Sequence, residues 1–113
     1  MGRWGEQQAA DYLRRKNYTI TGMNYSCRFG EIDVIAENRE YLVFAEVKLR
    51  KNASHGTARE FVTRAKQERL ISAAQLYLAA NPTEKQPRFD VIEIYAPQGA
   101  DGDIHINHIE NAF

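Results

Sequence analysis

Residues Gly30–Arg50, GEIDVIAENREYLVFAEVKLR, read as two β-strands joined by the polar turn Glu37-Asn38-Arg39-Glu40. Side chains alternate along a strand. In the second strand Tyr41, Val43, Ala45, Val47 and Leu49 therefore form a wholly apolar face. Leu42, Phe44, Glu46, Lys48 and Arg50 form the other face, which begins apolar and ends charged. In the first strand Ile32, Val34 and Ala36 share one face, and Glu31 and Asp33 share the opposite one with Ile35. Antiparallel pairing allows two registers. A two-residue turn at Asn38-Arg39 sets Asp33 against Phe44 and Glu31 against Glu46, whereas a turn centred on Arg39-Glu40 sets Asp33 against Glu46. Both gather Glu31, Asp33, Glu46 and Lys48 at the open end of the hairpin, with neighbouring pairs roughly 4.5–8 Å apart. Like charges placed so repel. A hard divalent cation such as Mg²⁺, which takes carboxylate and carbonyl oxygens, removes that penalty.

At 113 residues the chain has the length of one domain, spanning 1–113, with enough apolar sequence for a single core. The formal net charge is zero, but the charges are unevenly placed. Lys48, Arg50, Lys51, Arg59, Arg64, Lys66 and Arg69 stand in one segment against Glu60 and Glu68, while beyond Arg88 there are acidic residues and no Lys or Arg. This asymmetry predicts a polarised surface whose basic part adjoins the acidic cluster, unless the helix charges are ordinary solvated-face residues. Cys27 is the one cysteine, which excludes an intrachain disulfide and fits a reducing, cytoplasmic setting. No apolar run approaches the ~20 residues needed to span a bilayer, and no membrane association is expected. His55, His105 and His108 have no accompanying cysteine cluster, so a zinc site is not expected.

Outward from the hairpin, Arg3–Lys16 reads as a helix with Trp4, Ala9, Ala10, Tyr12 and Leu13 as apolar contacts and Asn17 as its stop. Glu6, Ala10 and Leu13 fall at i, i+4 and i+7, so Glu6 lies either at the exposed end of that stripe or near the acidic cluster. Tyr18–Tyr25 reads as a strand, and Ser26–Gly30 as the connection into the hairpin, with Gly30 permitting a sharp turn. After the loop Lys51–Gly56, Thr57-Ala58-Arg59-Glu60 fits a capping box and predicts a helix from Thr57 to about Ala80. Its expected buried stripe is Ala58, Val62, Ala65, Ala73, Leu76 and Ala80, flanked by Phe61, Leu70 and Tyr77. Lys66 and Arg69 border the stripe, either reaching a ligand or covering apolar surface with their stems. Pro82–Pro87 reads as a loop, Arg88–Tyr95 as a strand parallel to the second hairpin strand, and Asp103–Ile109 as an edge strand. The expected architecture is α/β, a mixed sheet of about five strands with a helix on each side.

Asp33, followed after twelve residues by Glu46-Val47-Lys48, resembles the core of the PD-(D/E)xK nuclease superfamily. More widely, GEIDVIA, LVFAEVK, TRAKQERLISAAQLYLA and RFDVI, in this order, resemble the bacterial YraN-like family of predicted endonucleases, which is distantly similar to archaeal Holliday junction resolvases. The resemblance runs from Glu6 to about Ile94; Ile32 stands where the superfamily name has proline. It implies a restriction-endonuclease-like three-layer fold and a cytoplasmic, metal-dependent endonuclease acting on DNA in repair or recombination, with a homodimer as in the resolvases. It further implies Asp33, Glu46 and the Val47 carbonyl as ligands of Mg²⁺ or Mn²⁺, and Lys48 beside the attacking water. Glu6 would serve a second metal or its waters, and Glu31 would be an auxiliary acid. Lys66 and Gln67 would contact phosphate; Arg28, Arg50, Lys51 and Arg69 complete the expected nucleic-acid surface. A binding factor that does not cut, or a protein-interaction module using the acidic C-terminal region, are the alternatives from other classes.

Overall fold

A computed structural model describes residues 2–50 and 62–113. Helix α1 (Gly2–Arg15) leads into β1 (Thr19–Cys27), β2 (Gly30–Glu37) and β3 (Tyr41–Arg50); α2 (Arg64–Ala80), β4 (Gln86–Tyr95) and β5 (His105–Ile109) follow. The strands form one sheet in the order β1-β2-β3-β4-β5, with β3 and β4 parallel and every other pair antiparallel. The mixed five-stranded α/β sheet is thus as the sequence predicts, and β5 is an edge.

Two apolar clusters sit on opposite faces of the sheet. One joins Ala9 and Leu13 of α1 to Val34, Ala36, Val43, Ala45, Ile92 and Ile94. The other joins Leu70, Ala73 and Ala74 of α2 to Ile35, Leu42 and Phe44. Central strands buried on both faces need apolar side chains at successive positions, which is why Leu42-Val43-Phe44-Ala45 runs unbroken. Helix α1 ends as expected at Asn17, whose φ of 69° closes the last turn while the Tyr18 N–H donates to the Leu13 carbonyl at 3.0 Å. Among the described residues no helix is long and apolar enough to cross a membrane.

Helix α2 departs from the sequence reading. The four residues Thr57–Glu60 lie outside the described residues, but Val62 and Thr63 are not helical, so no continuous helix runs through them. Thr63 is the N-cap, its hydroxyl accepting from the Lys66 N–H at 3.1 Å. The buried stripe is correspondingly Leu70, Ala73 and Ala74, while Ala65 and Ala80 are exposed. Strand β4 begins earlier than expected and includes Pro87. Proline has no N–H to give a ladder, yet β5 pairs with β4 only from Val91 onward, so the proline end of β4 has no second strand to satisfy.

The hairpin adopts the second of the two expected registers: Val34 pairs with Ala45, Ile35 with Phe44 and Ala36 with Val43. Asn38 builds the turn, its Oδ1 accepting from the N–H groups of Glu40 at 3.0 Å and Tyr41 at 2.8 Å.

Candidate metal centre and nucleic-acid cleft

The β2–β3 ladder stops at Val34 and Ala45, although β2 stays paired to β1 back to Gly30. Strict alternation also fails there. Ile32 packs with Ile35 in the cluster beneath α2, while Val34 packs in the cluster beneath α1. On β1 the same switch separates Met23 from Tyr25, and Asn24 between them has a φ of 54°. The end of the β1–β2 pair therefore turns away from β3. Asp33 fills the fork so opened, its Oδ2 accepting from the Val47 N–H at 2.9 Å, in place of a backbone partner.

That geometry brings Asp33 to both sides of the sheet. One ligand oxygen each from Glu6, Glu31 and Asp33 lie within 4.8 Å of one another, so Glu6 of α1 belongs to the cluster rather than to the exposed end of a stripe. Glu31 also accepts from the Ser26 hydroxyl at 3.2 Å. Glu46 is buried at 5 % exposure. Its Oε1 meets Lys66 Nζ at 3.2 Å and Lys48 Nζ at 3.6 Å. Its Oε2 is buried with no hydrogen-bond partner among the described residues. Burial first, and then the neighbouring Glu46 charge, push the Asp33 carboxyl up from 3.8 to about 7; Glu6 adds to the rise, while the Val47 N–H and Lys66 oppose it.

The remaining expected site residues fall into four groups. Arg28, Lys66 and Arg69 line one cleft of about 440 Å³ together with Glu31 and Asp33. Gln67 is turned inward, its side-chain N–H donating to the Val62 carbonyl at 3.0 Å, so it braces the start of α2. Arg50 lies farther along β3, its Nε 3.9 Å from the buried Glu93. Lys51 lies outside the described residues.

Sequence reasoning missed a second polar centre, on the α1 side of β4. Asp90 is fully buried and accepts from Arg88 Nε at 2.9 Å and Nη2 at 2.8 Å, and from the Asn111 N–H at 3.0 Å; His108 Nε2 lies 2.6 Å from its Oδ2. Arg88 also donates to the Tyr18 hydroxyl at 2.7 Å. Despite burial, these donors hold the Asp90 carboxyl below its ordinary range. The signal was present in Arg-Phe-Asp, since residues two apart on a strand share a face. With Asp90 and Glu93 both buried and hydrogen-bonded, the acidic C-terminal region keeps only Asp101, Asp103 and Glu110 exposed, which weakens the protein-docking alternative.

Comparison with known proteins agrees with the resemblance seen in the sequence. The model of the uncharacterised protein family UPF0102 matches residues 5–94. The chain belongs to this family. A UPF0102 protein of Caldanaerobacter subterraneus is 42% identical over 114 residues, covering 100% of this chain and 93% of the relative. UPF0102 proteins of Symbiobacterium thermophilum and Vibrio cholerae are each 46% identical, covering 100% and 95% of this chain and 95% and 86% of the relatives. The UPF0102 match spans α1 through β4, and so includes all four carboxylates of the cluster.

Proposed function

We propose that this protein is a metal-dependent endonuclease hydrolysing phosphodiester bonds in DNA, with branched or structured DNA as the expected substrate. One observation carries the reading: the meeting of Glu6, Glu31 and Asp33 within 4.8 Å, beside a buried Glu46. Three acids so close raise the cost of ionising one another, and no fold gains from crowding them on its own account. The donor set is all oxygen and suits Mg²⁺ or Mn²⁺. The unpartnered Glu46 Oε2 gives the test of fit, because a buried lone carboxylate oxygen is costly unless something positive meets it. Asp33 and Glu46 would hold the ion, with Glu6 and Glu31 completing or supporting its shell.

A divalent ion bound there polarises the phosphoryl oxygen and lowers the pKa of water. The chain's own groups account for the rest. The Val47 N–H fixes the Asp33 carboxylate in one orientation. Lys48 and Lys66 both approach Glu46 Oε1, so either ammonium can turn to a phosphate oxygen as negative charge builds on it, a preorganised electrostatic role. Arg28 and Arg69 would hold the flanking backbone through salt-sensitive contacts.

The test is a panel of labelled DNA and RNA structures, four-way junctions included, incubated with the purified protein and Mg²⁺ or Mn²⁺. Cleavage is expected with either ion, abolished by chelation, and reduced at least about 100-fold in Asp33→Ala and in Lys48→Ala. Cleavage that persists in both variants, or absence of cleavage on every substrate, would defeat the reading.

A further inference from the structure

The cleft beside Asp33 has a feature that metal binding does not require. Cys27 pairs with Gly30, so Arg28 and Phe29 are the two residues of a tight turn, and Gly30 leaves it with a φ of 140°. Turn positions favour Gly, Asn, Asp, Ser and Pro; the Phe29 ring packs in part against the apolar cluster that holds Leu70, and in part lines open space. Phe29 is half-buried and stands as a wall shared by two depressions. On one side is the cleft of about 440 Å³, whose apolar lining is Cys27, Phe29 and Leu70. On the other is a shallower hollow of about 270 Å³ along α2, bordered by Phe29, Ala65, Arg69 and Ser72. Phe29 and Arg69 thus form a ridge between the two. The Arg28 guanidinium carbon lies 4.9 Å from the Phe29 ring centroid, which brings a cation to the same ridge.

We propose that this cleft receives an unpaired nucleotide, its base stacked on Phe29 and its phosphate directed to the acidic cluster. The substrate class follows: DNA that is single-stranded, gapped or branched next to the bond being cut. The cutting rests on the nuclease reading above; the stacking does not. Three observations agree on this occupant. The cavity lies within the roughly 300–1,000 Å³ of sites that enclose small organic groups. Its lining pairs an aromatic wall with the cations Arg28, Lys66 and Arg69, the combination that binds single strands through stacking and phosphate contacts. Glu31 and Asp33 line the same cleft, so a nucleotide stacked there has its phosphate beside them. A base inside a duplex has both faces covered by its neighbours and cannot offer one to Phe29 without leaving the stack.

The experiment places 2-aminopurine in a one-nucleotide gap, in a branch and in a fully paired duplex, and follows its fluorescence with full-length protein in Ca²⁺. We expect quenching with the gapped and branched DNA, affinity at least about tenfold above that for paired duplex, and about a tenfold loss in Phe29→Leu that Phe29→Trp restores. Thermal melting of each variant verifies its fold. Equal affinity for paired and unpaired DNA, or Phe29→Leu binding and quenching like the wild type, would overturn the proposal. Stacking without cleavage in Mg²⁺ or Mn²⁺ would uphold the cleft and defeat the nuclease. Cleavage of paired duplex as fast as gapped duplex, unchanged by Phe29→Leu, would do the reverse.

Discussion

Two aspartates on this sheet, Asp33 half-buried and Asp90 fully buried, have opposite fates, and the contrast separates a site from a scaffold. Asp90 is surrounded by donors, which hold its carboxyl low, so its contribution to stability is present above the usual carboxylate value and is lost as pH falls through the lowered one. Asp33 is desolvated among other acids and raised from 3.8 to about 7. A raised carboxylate works the other way: its favourable contribution is full below 3.8 and is lost as pH rises through about 7. Asp33→Asn keeps an acceptor for the Val47 N–H but carries no charge. In the absence of metal it is expected to be more stable than the wild type by about 2 kcal/mol at pH 8, a figure reduced for partial solvent access. The gain should vanish near pH 4. Urea unfolding of both proteins at the two pH values reads this directly, and a gain over the wild type no larger at pH 8 than at pH 4 would contradict it. Strict strand alternation places Asp33 on one face and hides its reach toward Glu6. The switch at Asn24 and Asp33 depends on two strands parting, which no local pattern in either strand announces.

At the level of elements, the hairpin and α1 were legible because periodicity and turn chemistry agreed there. Alternation over Tyr41–Arg50 and the Asn17 stop each have one physical reading, while the turn left two registers open, of which the structure adopts the one centred on Arg39-Glu40. Helix α2 was legible in its body and end but not in its start. Thr57 and Thr63 are both threonines able to cap, and the box pattern Thr-x-x-Glu favoured the first. Thr63 is the residue whose hydroxyl receives the Lys66 N–H. The later start puts Lys66 in the first turn of α2, where its ammonium meets Glu46. Thr63→Ala should cost about 1 kcal/mol, within the usual 0.5–2 range for a lost cap, and lower the melting temperature by several degrees. Unchanged melting would mean that the helix start is fixed by something other than that hydroxyl. The Asp90 centre was overlooked for a related reason: Asp90 is met by Arg88, His108 and Asn111, with Tyr18 behind Arg88, and only the Arg88–Asp90 pair is local.

For the molecule as a whole, net charge zero conceals a division of labour. The C-terminal acids turn partly inward, where Arg88, His108, Tyr95 and Asn107 satisfy Asp90 and Glu93. Four further acids meet at the fork between β2 and β3, where Glu6, Glu31, Asp33 and Glu46, from three elements, stand beside two lysines. A fold that satisfies one set and leaves the other crowded has a reason to do so, and on this account the reason is a divalent ion. Calorimetric titration with Mn²⁺ at pH 8 puts that claim to the most direct test. One saturable site is expected in the wild-type protein, weakened at least tenfold in Asp33→Asn and in Glu46→Gln. Absence of binding, or binding equal in all three proteins, would contradict the account.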